Sequence, residues 1–167
     1  PEDNFFPTVE QVKAALPGTR LMVLNSPLTP TGTVINREVL KGLAQALVQL
    51  PTENPPGETG AAVEWLAGWL EARGAAVERH PVPDPFARHY GLSGVTNLVV
   101  RRVFGPGPTV ALAASIDTLP AGDNWRREPF AGEVKDGRLH GRGARDSKAD
   151  IAAYVFAMEA LEDQPLA

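Results

Sequence analysis

Two aspartates are the residues of this chain best placed to do chemistry. Asp117 follows the apolar run "ALAASI" at 111–116, a pattern typical of a strand that delivers a carboxylate to the edge of a sheet. Asp146 lies in "GRGARDSK", residues 141–148, just before a predicted helix. Carboxylates in such places hold metal ions, orient neighbouring groups or transfer protons. A second interpretation of Asp146, as a helix N-cap only, stays open.

The cysteine, histidine and serine residues narrow that chemistry. The chain contains no cysteine, which excludes disulfides, thiolate nucleophiles and cysteine-ligated zinc. Its three histidines, His80, His89 and His140, all precede the second aspartate, and we interpret each as an exposed loop or strand residue. We interpret Ser115 as a small residue at a strand end, because a neutral hydroxyl is a poor zinc ligand compared with imidazole.

Composition and charge indicate a folded, soluble domain. Of the 167 residues, 43% are hydrophobic and 22% are charged, which is enough apolar material for a core. The net charge of −4 and the absence of a large basic cluster argue against a nucleic-acid partner. No apolar run approaches the roughly 20 residues of a membrane span. The first residues, "PEDNFFPTVE", do not resemble a signal peptide, so we expect a cytoplasmic location.

Helix and strand patterns alternate along the chain. This predicts an α/β fold with a mostly parallel or mixed sheet flanked by helices. Helices are predicted at 8–16, 36–50, 59–73 and 148–162, and strands at 20–25, 75–82, 95–104 and 109–115. A long loop is predicted at 83–94, and a hairpin at 132–141 because Asp136-Gly137 is a strong turn signal.

Apolar spacing predicts which face two of these helices bury. The 59–73 helix carries its stripe on Val63, Leu66, Trp69 and Leu70, and the 148–162 helix on Ile151, Tyr154, Val155, Met158 and Leu161. Asn36 and Thr59 are predicted N-caps, and Gly74 is predicted to follow the end of its helix with a positive φ.

Three ordered motifs resemble the N-terminal part of the M20 family of zinc metallopeptidases and deacylases. They are "SIDTLP" at 115–120, "WRREPFAGEVKDGRLHGRGARDSK" at 125–148, and the helix that follows. Residues 47–79 also resemble the family's opening helix, proline-rich turn and second helix. The resemblance covers about 36–167, and the family includes acetylornithine deacetylase and succinyl-diaminopimelate desuccinylase.

This resemblance implies a role for each candidate residue. The family uses two zinc ions to activate water for hydrolysis of an amide in an N-acyl amino acid or peptide. By resemblance, Asp146 falls on the carboxylate that bridges the metals. Asp117 falls on the acid that orients a ligand histidine, whose second ring N–H needs an acceptor. Ser115 falls on the position of that histidine.

Other parts of the family's site are missing from the sequence. After the bridging carboxylate the family supplies a Glu-Glu pair that includes the general base, a further carboxylate ligand and a late histidine. The 21 residues after Asp146 contain neither a histidine nor a Glu-Glu pair, and we interpret Glu162-Asp163 as solvated surface. We therefore expect an M20-like hydrolase fragment that is inactive alone. Exposed sheet edges predict a homo-oligomer, for which a swapped dimer is one arrangement.

A second resemblance covers about residues 5–48. This segment is similar to part of the fold-type I, PLP-dependent aminotransferases, with "NSPLTPTG" at 25–32 close to their cofactor loop. Thr29 stands where that family has an asparagine that contacts the cofactor. The favoured interpretation is therefore a strand, turn and helix without PLP. The two resemblances predict a chimera, with an aminotransferase-like segment at 1–35 and one compact M20-like unit at 36–167. A non-catalytic folded chimera and a PLP-binding remnant are the alternative hypotheses.

Overall fold

The computed structural model describes residues 37–162, in which helices and short strands alternate. The elements are α1 (Arg37–Gln49), α2 (Gly60–Glu71), β1 (Val77–Pro81), α3 (Asp84–His89), β2 (Thr96–Val100), β3 (Glu133–Lys135), β4 (Arg138–His140) and α4 (Lys148–Glu162). The predicted α/β class is confirmed. The predictions made for residues 1–36, including the Asn36 cap and Thr29, lie outside the described residues.

Strand pairing in residues 37–162 combines both directions. β1 and β2 pair antiparallel, with Val77 opposite Val100, and β3 pairs antiparallel with β4. Glu53 and Thr118 form an isolated parallel bridge. The arrangement is therefore mixed, with antiparallel ladders and a single parallel contact among the described residues. That parallel contact is the one that reaches the candidate site.

The β3–β4 hairpin confirms the turn predicted from Asp136-Gly137. Both residues have positive φ, 51° and 73° respectively. A two-residue turn of this kind matches the right-handed twist of the flanking strands, and Asp-Gly adopts it readily. Both ends of the hairpin lie against α1, since Gln45 Nε2 donates to Gly132 O at 2.9 Å and Gly141 lies beside Val48.

The core lies where α1 packs against α4 and where α2 packs against the β1–β2 pair. Its buried members are Leu43, Ala44, Leu47, Leu66, Leu70, Ala152 and Phe156. The predicted α2 stripe is confirmed, since Val63, Leu66 and Leu70 are buried and Trp69 is half-buried. None of the helices in this part of the chain combines the length and apolar character needed to cross a membrane.

The predicted buried face of α4 is partly wrong. Ala152 and Phe156 are its most buried apolar residues, with Ile151 and Val155 beside them, whereas Leu161 is exposed. Ala152 and Phe156 are four residues apart and so lie on one side of the helix. Both residues belong to the core cluster that contains Leu43 and Leu47 of α1, so the buried face is rotated away from the predicted stripe and Leu161 is left exposed.

The predicted loop at 83–94 contains the short helix α3. Proline is favoured in the first turn of a helix, where its missing N–H has no intrahelical acceptor to lose, and Pro85 lies there. Asp84 and Arg88, four residues apart, form an ion pair of 3.8 Å on the exposed side. The prediction of a loop was therefore wrong for the six residues of this helix.

The two predicted ends of α2 differ in outcome. Gly74 follows the helix with φ +81°, and its N–H donates to Glu71 O at 2.9 Å, as predicted. Thr59 precedes the helix but its side chain makes no capping hydrogen bond. Its backbone has near-helical angles, φ −102° and ψ −6°, instead of the extended ones that aim a hydroxyl at the first turn.

The strand predicted at 109–115 belongs to neither sheet, and the strand predicted at 95–104 ends early. β2 stops at Val100, and residues 101–117 form no ladder with any other described residue. The "GPGP" segment at 105–108 separates the two predicted strands. Since proline has no N–H to donate, this segment does not close them into a paired hairpin.

Candidate active site

The loop after α1 fixes the backbone on both sides of Asp117. The N–H of Thr118 donates to Thr52 O at 2.8 Å, and the N–H of Asn54 donates to Thr118 O at 2.7 Å. The fully buried Thr52 also donates its hydroxyl to Ile116 O at 2.7 Å. Three hydrogen bonds from a segment more than 60 residues away therefore hold this carboxylate in place.

Both carboxylate oxygens of Asp117 accept hydrogen bonds. The Ser115 hydroxyl donates to Oδ1, and Nδ2 of Asn54 donates to Oδ2 at 3.0 Å. These donors, Ser115 first and Asn54 second, lower the pKa of Asp117 against the opposing effect of its partial burial. Asp117 is therefore an ionised, oriented carboxylate, as its predicted role requires, although its partner is a serine.

Ser147 joins the start of α4 to the same strand end. The N–H of Ser115 donates to Ser147 Oγ at 2.9 Å, and Ser147 Oγ donates to Ser115 O at 2.7 Å. Asp146 is adjacent to Ser147 and Asp117 is two residues from Ser115. These two hydrogen bonds join the backbone segments that carry the two aspartates.

The Asp146 carboxylate is exposed and forms no hydrogen bond or ion pair within residues 37–162. The residue directly before α4 is Ser147, whose carbonyl oxygen accepts from the N–H groups of Asp150 and Ile151. The N-cap interpretation of Asp146 therefore has no hydrogen bond to support it. Its oxygens are available to a ligand.

Lys148 is a buried cationic residue that sequence reasoning missed. Its side chain has no solvent exposure, and Nζ donates to Leu50 O at 2.6 Å, which ties the start of α4 to the end of α1. Burial lowers the pKa of Lys148 to about 8. No sequence signal indicates this, since a lysine in the first turn of a helix is ordinarily exposed.

The loop after Asp117 forms a second, polar edge of the site. Glu53 Oε1 accepts from the N–H of Ala121 at 2.7 Å. Arg142 Nη2 donates to the carbonyl oxygens of Pro120 and Ala121 at 2.7 and 3.0 Å, and Trp125 Nε1 donates to Ala121 O at 2.7 Å. The Arg142 guanidinium also lies 5.3 Å from the centre of the Trp125 ring. These contacts hold the loop of residues 119–125, which follows Asp117 in the chain.

The three histidines lie on separate elements. His80 on β1 pairs with Glu78 at 3.0 Å, His89 ends α3 with its ring 5.0 Å from that of Tyr90, and His140 lies on β4. Across residues 37–162, no three His, Cys, Asp or Glu side chains form a group that could hold a metal ion.

The described residues alone do not fit a zinc ion. Zinc in proteins takes three or four nitrogen, sulfur or carboxylate ligands. Asp146 offers one unengaged carboxylate, while both oxygens of Asp117 are already hydrogen-bonded. The Ser115 hydroxyl donates a hydrogen bond to that carboxylate, and a neutral hydroxyl is a poor zinc ligand. A complete metal site would need ligands in addition to those of residues 37–162.

Comparison with known proteins shows one family and several individual proteins to which this chain is similar. The sequence pattern of Peptidase family M20/M25/M40 matches residues 111–167. A succinyl-diaminopimelate desuccinylase of Methylobacterium sp. (strain 4-46) is 43% identical over 117 residues, which cover 69% of this chain and 28% of that protein. The desuccinylase of Rhodospirillum rubrum is 40% identical over 126 residues, 74% of this chain and 29% of its own length. The chain thus spans less than a third of these relatives.

The matched region contains both aspartates, Ser115, the β3–β4 hairpin and α4. The relatives named above are desuccinylases, and they lend no support to the aminotransferase hypothesis for residues 5–48. The chain is therefore similar to M20/M25/M40 peptidases over residues 111–167, and to these desuccinylases over 117 and 126 residues.

Proposed function

We propose that the chain is part of an M20 amide hydrolase, a peptidase or N-deacylase whose substrate is an N-acyl amino acid or a peptide. The observation that carries this proposal is the family match over residues 111–167, within which hydrogen bonds between Ser115 and Ser147 join the segments that carry Asp117 and Asp146. The desuccinylase relatives favour an N-succinyl amino acid among these substrates.

The two aspartates have different proposed roles. Asp146, exposed and unengaged in the described residues, is the metal ligand. Asp117, held by Asn54 and ionised, is the carboxylate that orients the side chain at position 115. Zinc, when bound by a complete set of ligands, would supply Lewis-acid activation of water. The chain's own contribution is the negatively charged Asp117 carboxylate, which the loop after α1 holds in a fixed orientation.

The chain as it stands is proposed to have little or no activity. A hydrolase of this kind needs a general base within hydrogen-bond reach of the attacking water. In residues 37–162, both oxygens of Asp117 are occupied, and position 115 carries a hydroxyl in place of an imidazole. Turnover of N-succinyl or N-acetyl amino acids that a chelator abolishes would contradict this part of the proposal.

The placement of the site is tested by restoring the histidine. In Ser115→His, the new imidazole is expected to donate to Asp117 and share a zinc ion with Asp146. We expect at least tenfold tighter binding of zinc chloride by calorimetry than in the unaltered chain. Ser115→His with Asp146→Asn should lose this gain, whereas Ser115→His with Asp123→Asn, a change of an exposed aspartate in the neighbouring loop, should keep it. Equal affinity in all variants would refute the proposed site.

Three broader predictions are retained as proposals. They are the cytoplasmic location, the division into 1–35 and 36–167, and self-association into a homo-oligomer. The exposed apolar segment that supports self-association lies in the described residues. A PLP-binding remnant stays a hypothesis, because its residues lie outside the described part of the chain.

A further inference from the structure

Ser115 is an exposed residue whose polar groups are all bonded to other side chains. Its N–H donates to Ser147 Oγ at 2.9 Å, and its carbonyl oxygen accepts from Ser147 Oγ at 2.7 Å. Its hydroxyl donates to Asp117 Oδ1. An exposed polar group loses little when water is its partner, so exposure alone does not call for these contacts. Both the backbone and the side chain of residue 115 are therefore held in one orientation.

The Ser147 hydroxyl bonds to a distant segment instead of to the helix that it precedes. A serine directly before a helix commonly accepts a hydrogen bond from an N–H group of the first turn. The Ser147 carbonyl oxygen does accept from the N–H groups of Asp150 and Ile151, at 3.0 and 3.2 Å. The Ser147 hydroxyl bonds to Ser115, 32 positions away. Because a hydroxyl can donate and accept at once, this single oxygen satisfies both backbone groups of that residue.

This contact joins two regions that are each held from elsewhere. Directly after Ser147, the buried Lys148 donates to Leu50 O at 2.6 Å, which ties the start of α4 to the end of α1. Directly after Ser115, the carbonyl oxygen of the next residue accepts from the Thr52 hydroxyl at 2.7 Å. Both regions are thus bonded to the end of α1 or to the loop after it, and the Ser147 hydroxyl fixes residue 115 relative to them.

We propose that Ser147 is a positioning residue that acts through residue 115. Its hydroxyl fixes the backbone of residue 115 and thereby the direction from which the side chain at that position meets Asp117. Functional sites hold their side chains in this way, by hydrogen bonds from surrounding residues. This role rests on the proposed function only in assigning position 115 to the site. The hydrogen bonds need no metal ion, because they join groups of the chain itself.

Amide hydrogen exchange, followed by NMR, measures the contact in the metal-free full chain. In the unaltered chain the Ser115 N–H should exchange roughly tenfold more slowly than an unprotected amide, because exchange requires loss of its bond to Ser147. An unprotected Ser115 N–H would overturn the proposal. The result is independent of the proposed function, which the zinc affinity of Ser115→His tests.

Two substitutions at residue 147 separate the hydroxyl from the rest of the side chain. Ser147→Ala removes it and should accelerate exchange of the Ser115 N–H roughly tenfold, with less than about twofold acceleration at the core residues Leu70 and Phe156. Ser147→Thr keeps a hydroxyl and should stay within about twofold of the unaltered chain at Ser115. Ser93→Ala, which changes an exposed serine in another loop, is the matched control and should leave the Ser115 N–H unchanged. Equal acceleration at Ser115 and in the core, or loss of protection in Ser147→Thr, overturns the proposal.

The step from residue 115 to Asp117 is measured by the NMR resonance of the Asp117 carboxyl carbon. In Ser147→Ala this resonance should move towards its value in Ser115→Ala, because the Ser115 hydroxyl is no longer held against Oδ1. It should stay in place in Ser147→Thr and in Ser93→Ala. A resonance that does not move in Ser147→Ala overturns the action through residue 115 and leaves Ser147 as a contact of the backbone alone.

Discussion

Two adjoining segments, residues 109–114 and residues 115–121, differ in whether the rest of the described structure holds them by hydrogen bonds. Residues 109–114 form no ladder with any described residue and are mostly exposed. Residues 115–121 are held by Thr52, Asn54 and Ser147 through backbone and side-chain hydrogen bonds. Residues 109–114 contain one polar side chain, Thr109, whereas residues 115–121 contain three, those of Ser115, Asp117 and Thr118. What also differs is the presence of polar partners brought from the loop after α1 and from the start of α4.

Residues 115–121, which we call the fixed segment, also depend on the close packing of Gly143 against Thr118. Gly143, with φ +79°, lies against Thr118, and a Cβ at residue 143 would lie 2.6 Å from Thr118 Cγ2 and 3.2 Å from Lys148 Cδ. Residues 109–114 contain no glycine that is packed against a neighbouring side chain in this way. Changes near the fixed segment should therefore affect the free energy of unfolding more than equivalent changes elsewhere.

The largest expected effect comes from Gly143→Ala. The left-handed φ alone should destabilise the protein by about 1 kcal/mol, and the clash with Thr118 should bring the total to about 2–4 kcal/mol. Gly74→Ala is the matched control, since Gly74 has φ +81° with no atom within 4 Å of an added Cβ. It should lose only about 1 kcal/mol. Urea unfolding of both variants measures the difference, and equal losses would remove the case for close packing at Thr118.

The next effect concerns Lys148 and depends on pH. Burial lowers its pKa to about 8, so between pH 8 and its ordinary pKa of 10.5 the unfolded chain binds more protons than the folded one. The free energy of unfolding should therefore rise with pH across this window, by up to about 3 kcal/mol.

Lys148→Met is the control for this pH dependence, because methionine keeps most of the packing without the ionisable group. Denaturant unfolding of the metal-free protein at several pH values should give a wild-type curve that rises relative to the Met variant. Parallel curves would mean that the Lys148 amine is solvated, and that α4 is not anchored to Leu50 in the way the structure has it.

Local patterns predicted much of the fold but little of what fixes the site. The α2 stripe and the Asp136-Gly137 turn depend on residues close together in sequence, and both were predicted. The Asp117 and Asp146 positions came from motif resemblance. The hydrogen bond from the buried Lys148 to Leu50 O joins residues 98 positions apart. The bond from Thr52 to Ile116 O joins residues 64 positions apart. Sequence periodicity carries no information about such contacts.

The lack of a strand at 109–115 has a related cause. A strand is defined by its partner, whereas a helix satisfies its hydrogen bonds within itself. The composition of residues 109–115 favours a strand, but a composition does not supply a partner. This is why the helices at 36–50 and 148–162 were predicted well and this strand was not.

A smaller difference in the free energy of unfolding is expected between substitutions at two buried threonines near Asp117, Thr52 and Thr118. Thr52 donates to Ile116 O at 2.7 Å, whereas the buried hydroxyl oxygen of Thr118 has no hydrogen-bond partner among the described residues. Valine has the same shape without the hydroxyl. Thr52→Val should lose about 1–2 kcal/mol because it leaves a carbonyl unpaired, while Thr118→Val should be neutral or slightly stabilising.

Thermal and urea unfolding of the two valine variants test this contrast directly. Equal destabilisation would mean that the Thr118 hydroxyl has a partner, such as a buried water, and that both threonines hold the strand end. Destabilisation by Thr118→Val alone would contradict the assigned role of the Thr52 hydroxyl.

The smallest expected effect is that of Ser115→Ala on Asp117. The Ser115 hydroxyl is the main cause of the lowered pKa of this carboxyl, so its removal should raise the pKa towards the ordinary value. A lowered carboxyl pKa stabilises the fold at pH values above the ordinary pKa, and this contribution disappears as pH falls through the folded-state pKa. Ser115→Ala should therefore lose less than about 1 kcal/mol at neutral pH and nothing in strong acid.

Carboxyl NMR titration measures the shift in the pKa of Asp117, with Ser93→Ala, an exposed serine in another loop, as control. An unchanged Asp117 pKa in Ser115→Ala would mean that Asn54 alone holds the carboxylate, and position 115 would then be free to accept a histidine without disturbing it.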